Sequence, residues 1–300
     1  MQNNYLKRWF EMNAPVQSFE ALLVLDMSNA DYHAHPAVSS SQLKTILRSP
    51  AHFYAKHVLD PQHKQTPAMA LGTAVHSLFL EPHNFENDCA IEPNVNKRTN
   101  LGKAELQAFI EANTGKTIIT PDQYEAAQVM VKSMKAHPMY NMILSGGIRE
   151  ASIFYKDAET GLDCRVRMDW HVPPGVSEYF PGGMILDIKK TTDARHDEFA
   201  RGCHKYGYAI SASMYIDGYK AYYGQQHTPH FLFLVVEDEA PHESIIYYAS
   251  DEMLFAGSTK KRDALLRLQQ AKANNDWHGY SRQIQKIDLP KWAMNQILGE

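Results

Sequence analysis

The sequence predicts an α/β protein with a central mixed β-sheet flanked by helices, and three observations carry that expectation. Up to position 136, apolar residues recur mostly at helical spacing. Between 150 and 249 the pattern changes to short β-branched and aromatic runs bounded by Gly- and Pro-containing turns. Helical stretches then lie among and after those runs. With 300 residues, 44% of them hydrophobic, the chain can bury a sizeable core. No internal repeat, low-complexity tract or flexible linker divides it, so residues 31–300 are expected to form a single domain. Residues 1–30 are expected to be an N-terminal extension, packed on the body or on a neighbouring subunit.

Ser39 and Gln42 have the spacing of a capping box, so a helix should start there and carry Leu43, Ile46 and Leu47 on one face. Pro50 disfavours the α region for the residue before it, and a second helix should resume through Phe53 and Tyr54. The run AMALGTAVHSLFL over 68–80 is apolar on most sides and carries one imidazole, His76, which predicts a buried helix. A Thr-Pro-Asp start at 120 opens another helix, with Tyr124, Ala127, Val131 and Met134 on one stripe. Residues 150–172 alternate around a turn at Asp157 to Gly161 and predict a hairpin; a Pro-Gly-rich loop follows, then an apolar strand over 184–189. FLFLVV at 231–236 predicts a buried strand with 244–249 as its partner. Residues 206–223 predict a helix between these strands, and 252–274 a long helix with a basic face of Lys260, Lys261, Arg262 and Arg267.

Charge and composition narrow the function. The net charge of -4 lacks the basic excess of many nucleic-acid binders, although acidic metal ligands can mask a local basic groove. The most apolar stretch near the N-terminus, Ala21 to Leu25, is too short to cross a bilayer, so a cytoplasmic protein with no membrane partner is expected. Cys89, Cys164 and Cys203 stand far apart, with no C-x-x-C pairing and an odd count, which suits a reducing compartment. Gly115-Lys116-Thr117 resembles the end of a P-loop, but Ile110 stands where its first glycine should be, so no nucleotide cofactor is expected. His33 and His35 have no third ligand at sensible spacing and are expected in a solvated loop.

Asp187 and Lys189 are two apart on a strand, so the pleat sets a carboxylate and an ammonium on one face. Such a pair is common as an ordinary strand ion pair, and its context gives it weight. The hairpin immediately upstream is expected to have a second strand that ends in Asp169, so three consecutive strands can bring two carboxylates together. Two carboxylates at one point call for a cation. Mg²⁺, which takes one or two protein carboxylates and completes its shell with water and phosphate oxygens, suits Asp169 and Asp187, with Lys189 placed to act on the attacking water. Taken singly, Asp169 reads as a turn residue, His76 as a hydrogen-bonded core histidine and Glu150 as a solvated strand end.

From about Tyr32 to Trp292, the segments YHAHPAVSSSQL, SPAHFYAKH, LGTAVHSLFLEP, NKRTNLGKAE, TGLDCRVRMDW, ILDIKKTTDA, YIDGY and LPKWA resemble the C-terminal nuclease domain of exonuclease VIII. These are the RecE-type recombination exonucleases of prophages, within the PD-(D/E)xK superfamily. The resemblance implies a restriction-endonuclease-like core. It implies a metal held by His76, Asp169, Asp187 and the backbone carbonyl of Ile188, with Lys189 in catalysis and Glu150 as an acidic group near the site. It further implies ATP-independent, Mg²⁺-dependent 5′→3′ digestion of linear double-stranded DNA, with Mn²⁺ as a substitute ion. The 3′ single strands left behind would pass to a RecT-type annealing protein, and the nuclease would be a homo-oligomer, a ring tetramer. Lys97, Arg98 and Lys103 lie in a polar loop suited to phosphate and are candidate DNA-binding residues. Ser211 and Tyr215 join them because they occupy the place of a Gln-x-x-x-Tyr motif, from which Ser211 departs with a shorter side chain. Ser49 stands where related nucleases carry a cluster-binding cysteine, so no iron–sulfur cluster is expected. The alternatives are an endonuclease or single-strand nuclease of the same superfamily, or a non-catalytic component that binds DNA ends during recombination.

Overall fold

The computed structural model describes residues 21–59, 65–281 and 283–298. Among the described residues eight strands form two sheets: β1 (Ala21–Val24), β2 (Cys89–Ile91), β3 (Thr117–Ile119), β4 (Ile148–Lys156), β5 (Asp163–Val172), β6 (Met184–Thr191), β7 (His230–Glu237) and β8 (Ser244–Tyr248). The larger sheet has the order β1-β4-β5-β6-β7-β8, and β2 pairs with β3 in parallel beside it. Within the large sheet only β6 and β7 run parallel; the other pairs are antiparallel, so the sheet is mixed. The helices used below are α1 (Asn29–Ala34), α2 (Ser40–Arg48), α3 (Pro50–Tyr54), α4 (Pro67–Leu80), α5 (Asn100–Ala112), α6 (Pro121–Ala136), α7 (His196–Tyr206), α8 (Tyr208–Tyr223) and α9 (Asp251–Asn274).

Local sequence explains the helix starts. Gln42 Oε1 accepts the Ser39 N–H at 2.8 Å and opens α2. Thr66 Oγ1 accepts from Met69 ahead of Pro67 and opens α4, while Thr120 and Gln123 cap α6 reciprocally. Alternating side chains of β7 feed two cores. Phe231, Phe233 and Val235 pack on one side with α2, α8 and α9. Leu232, Leu234 and Val236 pack on the other with α4 and α6.

Three expectations are corrected. The helix expected over 206–223 starts instead at Tyr208: Tyr206 belongs to the separate helix α7, which Gly207, with φ of +63°, ends in a left-handed cap before α8 begins. The hairpin's second strand does not end at Asp169 but continues to Val172. The basic face of α9 is largely neutralised: Lys261 is buried against Asp217, Arg262 pairs with Glu159 and Arg267 with Asp263. Of the expected N-terminal extension, Ala21–Val24 adds the edge strand beside β4, and residues 1–20 lie outside the described residues. Among the described residues no helix is long and apolar enough to cross a membrane.

Candidate metal centre

The site lies where the sheet breaks its own regularity. Strands β5 and β6 pair at Trp170–Leu186, His171–Ile185 and Val172–Met184, and there the ladder stops. Continued by one step, the register would set Asp169 opposite Asp187. Instead Asp169 Oδ2 accepts the Ile188 N–H at 2.6 Å, so a carboxylate takes the place of a strand carbonyl. On the other side, β4 pairs Arg149 with Trp170 and Ala151 with Met168, which leaves Glu150 across from Asp169. Glu150 has φ of +48°, a left-handed conformation that costs a residue with a Cβ about 1–2 kcal/mol. The alternation of β5 changes sides at the same level: Val166 and Met168 face the core under α8, while Trp170 and Val172 face the core under α4. The β4–β5 register is the same on both sides of this point, so no residue is inserted; a local change of backbone at Glu150 and Asp169 turns both acidic side chains toward one point.

Helix α4 delivers His76 to that point. Its Nε2 donates to the Ile188 carbonyl at 3.1 Å, and its Nδ1 lies 3.5 Å from Asp169 Oδ1. His76, Glu150 and Asp169 each offer one ligand atom, and the three lie within 4.8 Å of one another. Asp187, 3% exposed, sets Oδ2 2.5 Å from Lys189 Nζ; that oxygen is buried and accepts no hydrogen bond of good geometry. Lys189 Nζ also donates to the Ile188 carbonyl at 3.2 Å and stands 5.1 Å from the centre of the Tyr208 ring. Of the expected ligands, the structure therefore joins His76, Asp169 and the Ile188 carbonyl, adds Glu150, and engages Asp187 with Lys189. A set of carboxylates, one carbonyl and one imidazole fits a hard or borderline divalent cation.

The electrostatics point the same way. Burial, then the charge of Asp169, pushes the Glu150 carboxyl up to about 7. Burial also opposes ionisation of Asp169, but the charge and hydrogen bond of His76, the Lys189 ammonium and the Ile188 N–H outweigh it and hold this carboxyl below the usual range. Burial disfavours the charged imidazole of His76, yet Asp169 raises it to about 9. Asp187 is raised by burial, which the Lys189 ammonium offsets only in part, and Lys189 is raised because Asp187 and Asp169 outweigh its own burial. Once His76 and Glu150 have lost their protons, three carboxylates against the one ammonium of Lys189 leave two excess negative charges, the charge of one divalent cation.

The other expected site residues lie apart from this cluster or beside it. Lys97 pairs with Glu92 at 2.6 Å, and Arg98 and Lys103 are exposed at the start of α5. Ser211 is buried and donates to Ser40 Oγ at 3.2 Å, between α8 and α2. Tyr215 is half-buried on α8, and burial, then the charge of Asp187, lifts its phenol far above the ordinary value. Sequence reasoning missed Lys44, Tyr208, Arg165 and Arg167. Lys44 Nζ lies 5.7 Å from the Tyr208 ring, and burial, then the charge of Lys189, lowers its ammonium to about 8. The signal for the two arginines was present: Arg165, Arg167 and Asp169 stand two apart along one strand.

Comparisons with known proteins bear on the fold. The model of a family described as a PDDEXK-like domain of unknown function (DUF3799) matches residues 39–290. No curated protein matches the sequence. Among solved structures, the crystal structure of a candidate exonuclease from Eubacterium rectale matches with a TM-score of 0.52 at 13% sequence identity, over 90% of this chain and 98% of that chain. The central mixed sheet flanked by helices is thus the PDDEXK-like architecture.

Proposed function

The chain belongs to this PDDEXK-like family, and from that premise we propose that it is a nuclease, specifically a Mg²⁺-dependent, ATP-independent exodeoxyribonuclease. It digests linear double-stranded DNA 5′→3′ and leaves 3′ single-stranded tails for annealing-type homologous recombination. The observation that carries this reading is the convergence of His76, Glu150 and Asp169 next to the Asp187–Lys189 pair, all buried or half-buried at one break in the sheet. The likeness to RecE-type segments supports the polarity, the substrate and the partners: a RecT-type annealing protein, further copies of this chain in a ring tetramer, and the cytoplasm as the compartment.

His76, Glu150, Asp169 and the Ile188 carbonyl would hold the cation, with Asp187 beside them. A divalent cation bound there supplies charge balance and polarises the phosphodiester. Lys189 donates a hydrogen bond to the phosphate oxygen on which charge develops, and Asp187 holds that ammonium in place. Burial of the pair excludes bulk water, which strengthens both interactions. Lys97, Arg98 and Lys103 contact the DNA backbone, with Ser211 and Tyr215 nearer the reacting strand.

The test is a linear duplex, 5′-phosphorylated and labelled at each end, incubated with the protein and Mg²⁺ beside a covalently closed circle of the same sequence. Early loss of the 5′ label as mononucleotides, abolished by EDTA and by Lys189→Ala, with the circle intact, is the expected result. Cleavage of the circle would make the protein an endonuclease of the same superfamily. Intact DNA that shifts in a gel would favour a non-catalytic component that binds DNA ends.

A further inference from the structure

Strand β5 carries two arginines on the face that ends in Asp169, and they fasten the segment before α2 to the sheet. Arg167 is 8% exposed, and each of its three side-chain nitrogens donates a hydrogen bond. Its Nε donates to Ser152 Oγ at 3.0 Å, its Nη1 to Asn29 Oδ1 at 2.8 Å, and its Nη2 to the Met27 and Ser28 carbonyls at 2.8 and 3.3 Å. The guanidinium stands 4.3 Å from the centre of the Tyr32 ring. Arg165 holds the next part of the same segment through the carbonyls of His35 and Ala37. A planar fork with five donors can reach this many acceptors at once, whereas an ammonium cannot.

Arg167 differs from Arg165 in one respect: its Nε lies 4.0 Å from Glu150 Oε2. Ser152, which takes the Nε hydrogen, is two residues from Glu150 on the same strand, so the arginine is braced against the stretch that holds Glu150 at φ of +48°. Glu150 faces Asp169, and two carboxylates this close repel each other. A guanidinium fixed by four protein acceptors cannot swing away, so it sets which way Glu150 turns.

We propose that Arg167 is a positioning residue, which clamps the segment ahead of α2 to the sheet and through that bracing holds the Glu150 carboxylate in place for the cation. The inference rests on the reading that this centre holds a divalent cation. The measurement is Mn²⁺ affinity of the full chain without DNA, by isothermal titration calorimetry, with melting temperature followed alongside. Arg167→Lys keeps the charge and loses the fork; its Kd should rise about tenfold, the low end for residues that orient metal ligands. Arg165→Lys should leave Kd within about twofold, and Arg167→Lys should add nothing in a Glu150→Gln background, as residues acting through one another do. An unchanged Kd in Arg167→Lys, an equal rise in Arg165→Lys, or a rise that persists without the Glu150 carboxylate would each overturn the proposal. If Arg167→Lys does not fold, Ser152→Ala removes the Nε acceptor alone and should raise Kd about threefold; no rise there overturns it equally. A wild-type chain that binds no Mn²⁺ overturns the cation reading as well, whereas wild-type binding with a flat Arg167→Lys overturns this inference alone.

Discussion

Strand β6 has two unlike edges. Toward β7 it keeps eight consecutive parallel pairs, from Met184–His230 to Thr191–Glu237, and the partner strand is buried and apolar from Phe231 to Val236. Toward β5 it keeps three pairs and then parts from its neighbour at Asp169, where side chains replace the ladder. One edge anchors the strand through regular hydrogen bonds and packing. The other frees the Ile188 carbonyl and gathers His76, Glu150 and Asp169 around it. A strand can present charged groups at fixed positions along an open edge because its closed edge holds it still.

The largest effects should separate the two edges. Phe233→Ala on β7 removes a fully packed ring and should cost about 3–5 kcal/mol in urea unfolding, while molecules that remain folded bind Mn²⁺ with unchanged affinity. Equal damage to metal binding would show that the edges are not independent. Lys189→Ala, on the open edge, should lower the hydrolysis rate by about 100- to 1000-fold, the loss typical of one preorganised donor to developing charge. A variant that keeps full rate would remove Lys189 from the chemistry.

The pH dependence sharpens the contrast further. Binding a cation must displace the proton that His76 holds up to about 9 and, below about 7, the proton on Glu150 as well. The logarithm of Mn²⁺ affinity should therefore rise with pH, by about one power of ten per pH unit between 7 and 9 and about two below 7. An affinity flat from pH 6 to 9 would contradict the ligand set. Glu150→Gln bears on the same carboxyl through stability. Its folded pKa is raised above the unfolded value, so its ionised form destabilises the fold at neutral and higher pH. Removing that charge should stabilise the metal-free protein at pH 8 by about 1 kcal/mol, as thermal unfolding would show, while weakening cation binding. The smallest effect should come from Arg98→Ala, far from either edge's hydrogen bonds: unchanged stability, and a slope of duplex affinity against salt reduced by about one.

The sequence made one of these edges easier to read than the other. FLFLVV and the hairpin around Asp157 to Gly161 announce themselves by run and alternation, and Asp169, Asp187 and Lys189 fall on neighbouring strands once those are drawn. Glu150 and His76 do not, because an acid at a strand end and an imidazole on an apolar helix look ordinary, and only the resemblance to a family singled them out. The reason is local geometry. Glu150 takes a left-handed φ of +48° and the side-chain alternation of β5 reverses after Met168 without a change of register, and a local backbone change of this kind is invisible to a period-two reading. Short strands without strong periodicity, β1, β2 and β3, were missed for want of signal, and so was α7, the helix that Gly207 closes.

The most direct test of the open edge is an anomalous difference map from crystals of the wild-type protein soaked in Mn²⁺. A peak within bonding distance of His76, Asp169 and the Ile188 carbonyl, with Glu150 or Asp187 completing the set, is the expected result. A peak elsewhere, or none at Mn²⁺ concentrations that support hydrolysis, would contradict the assignment of the metal centre to the place where β5 and β6 part.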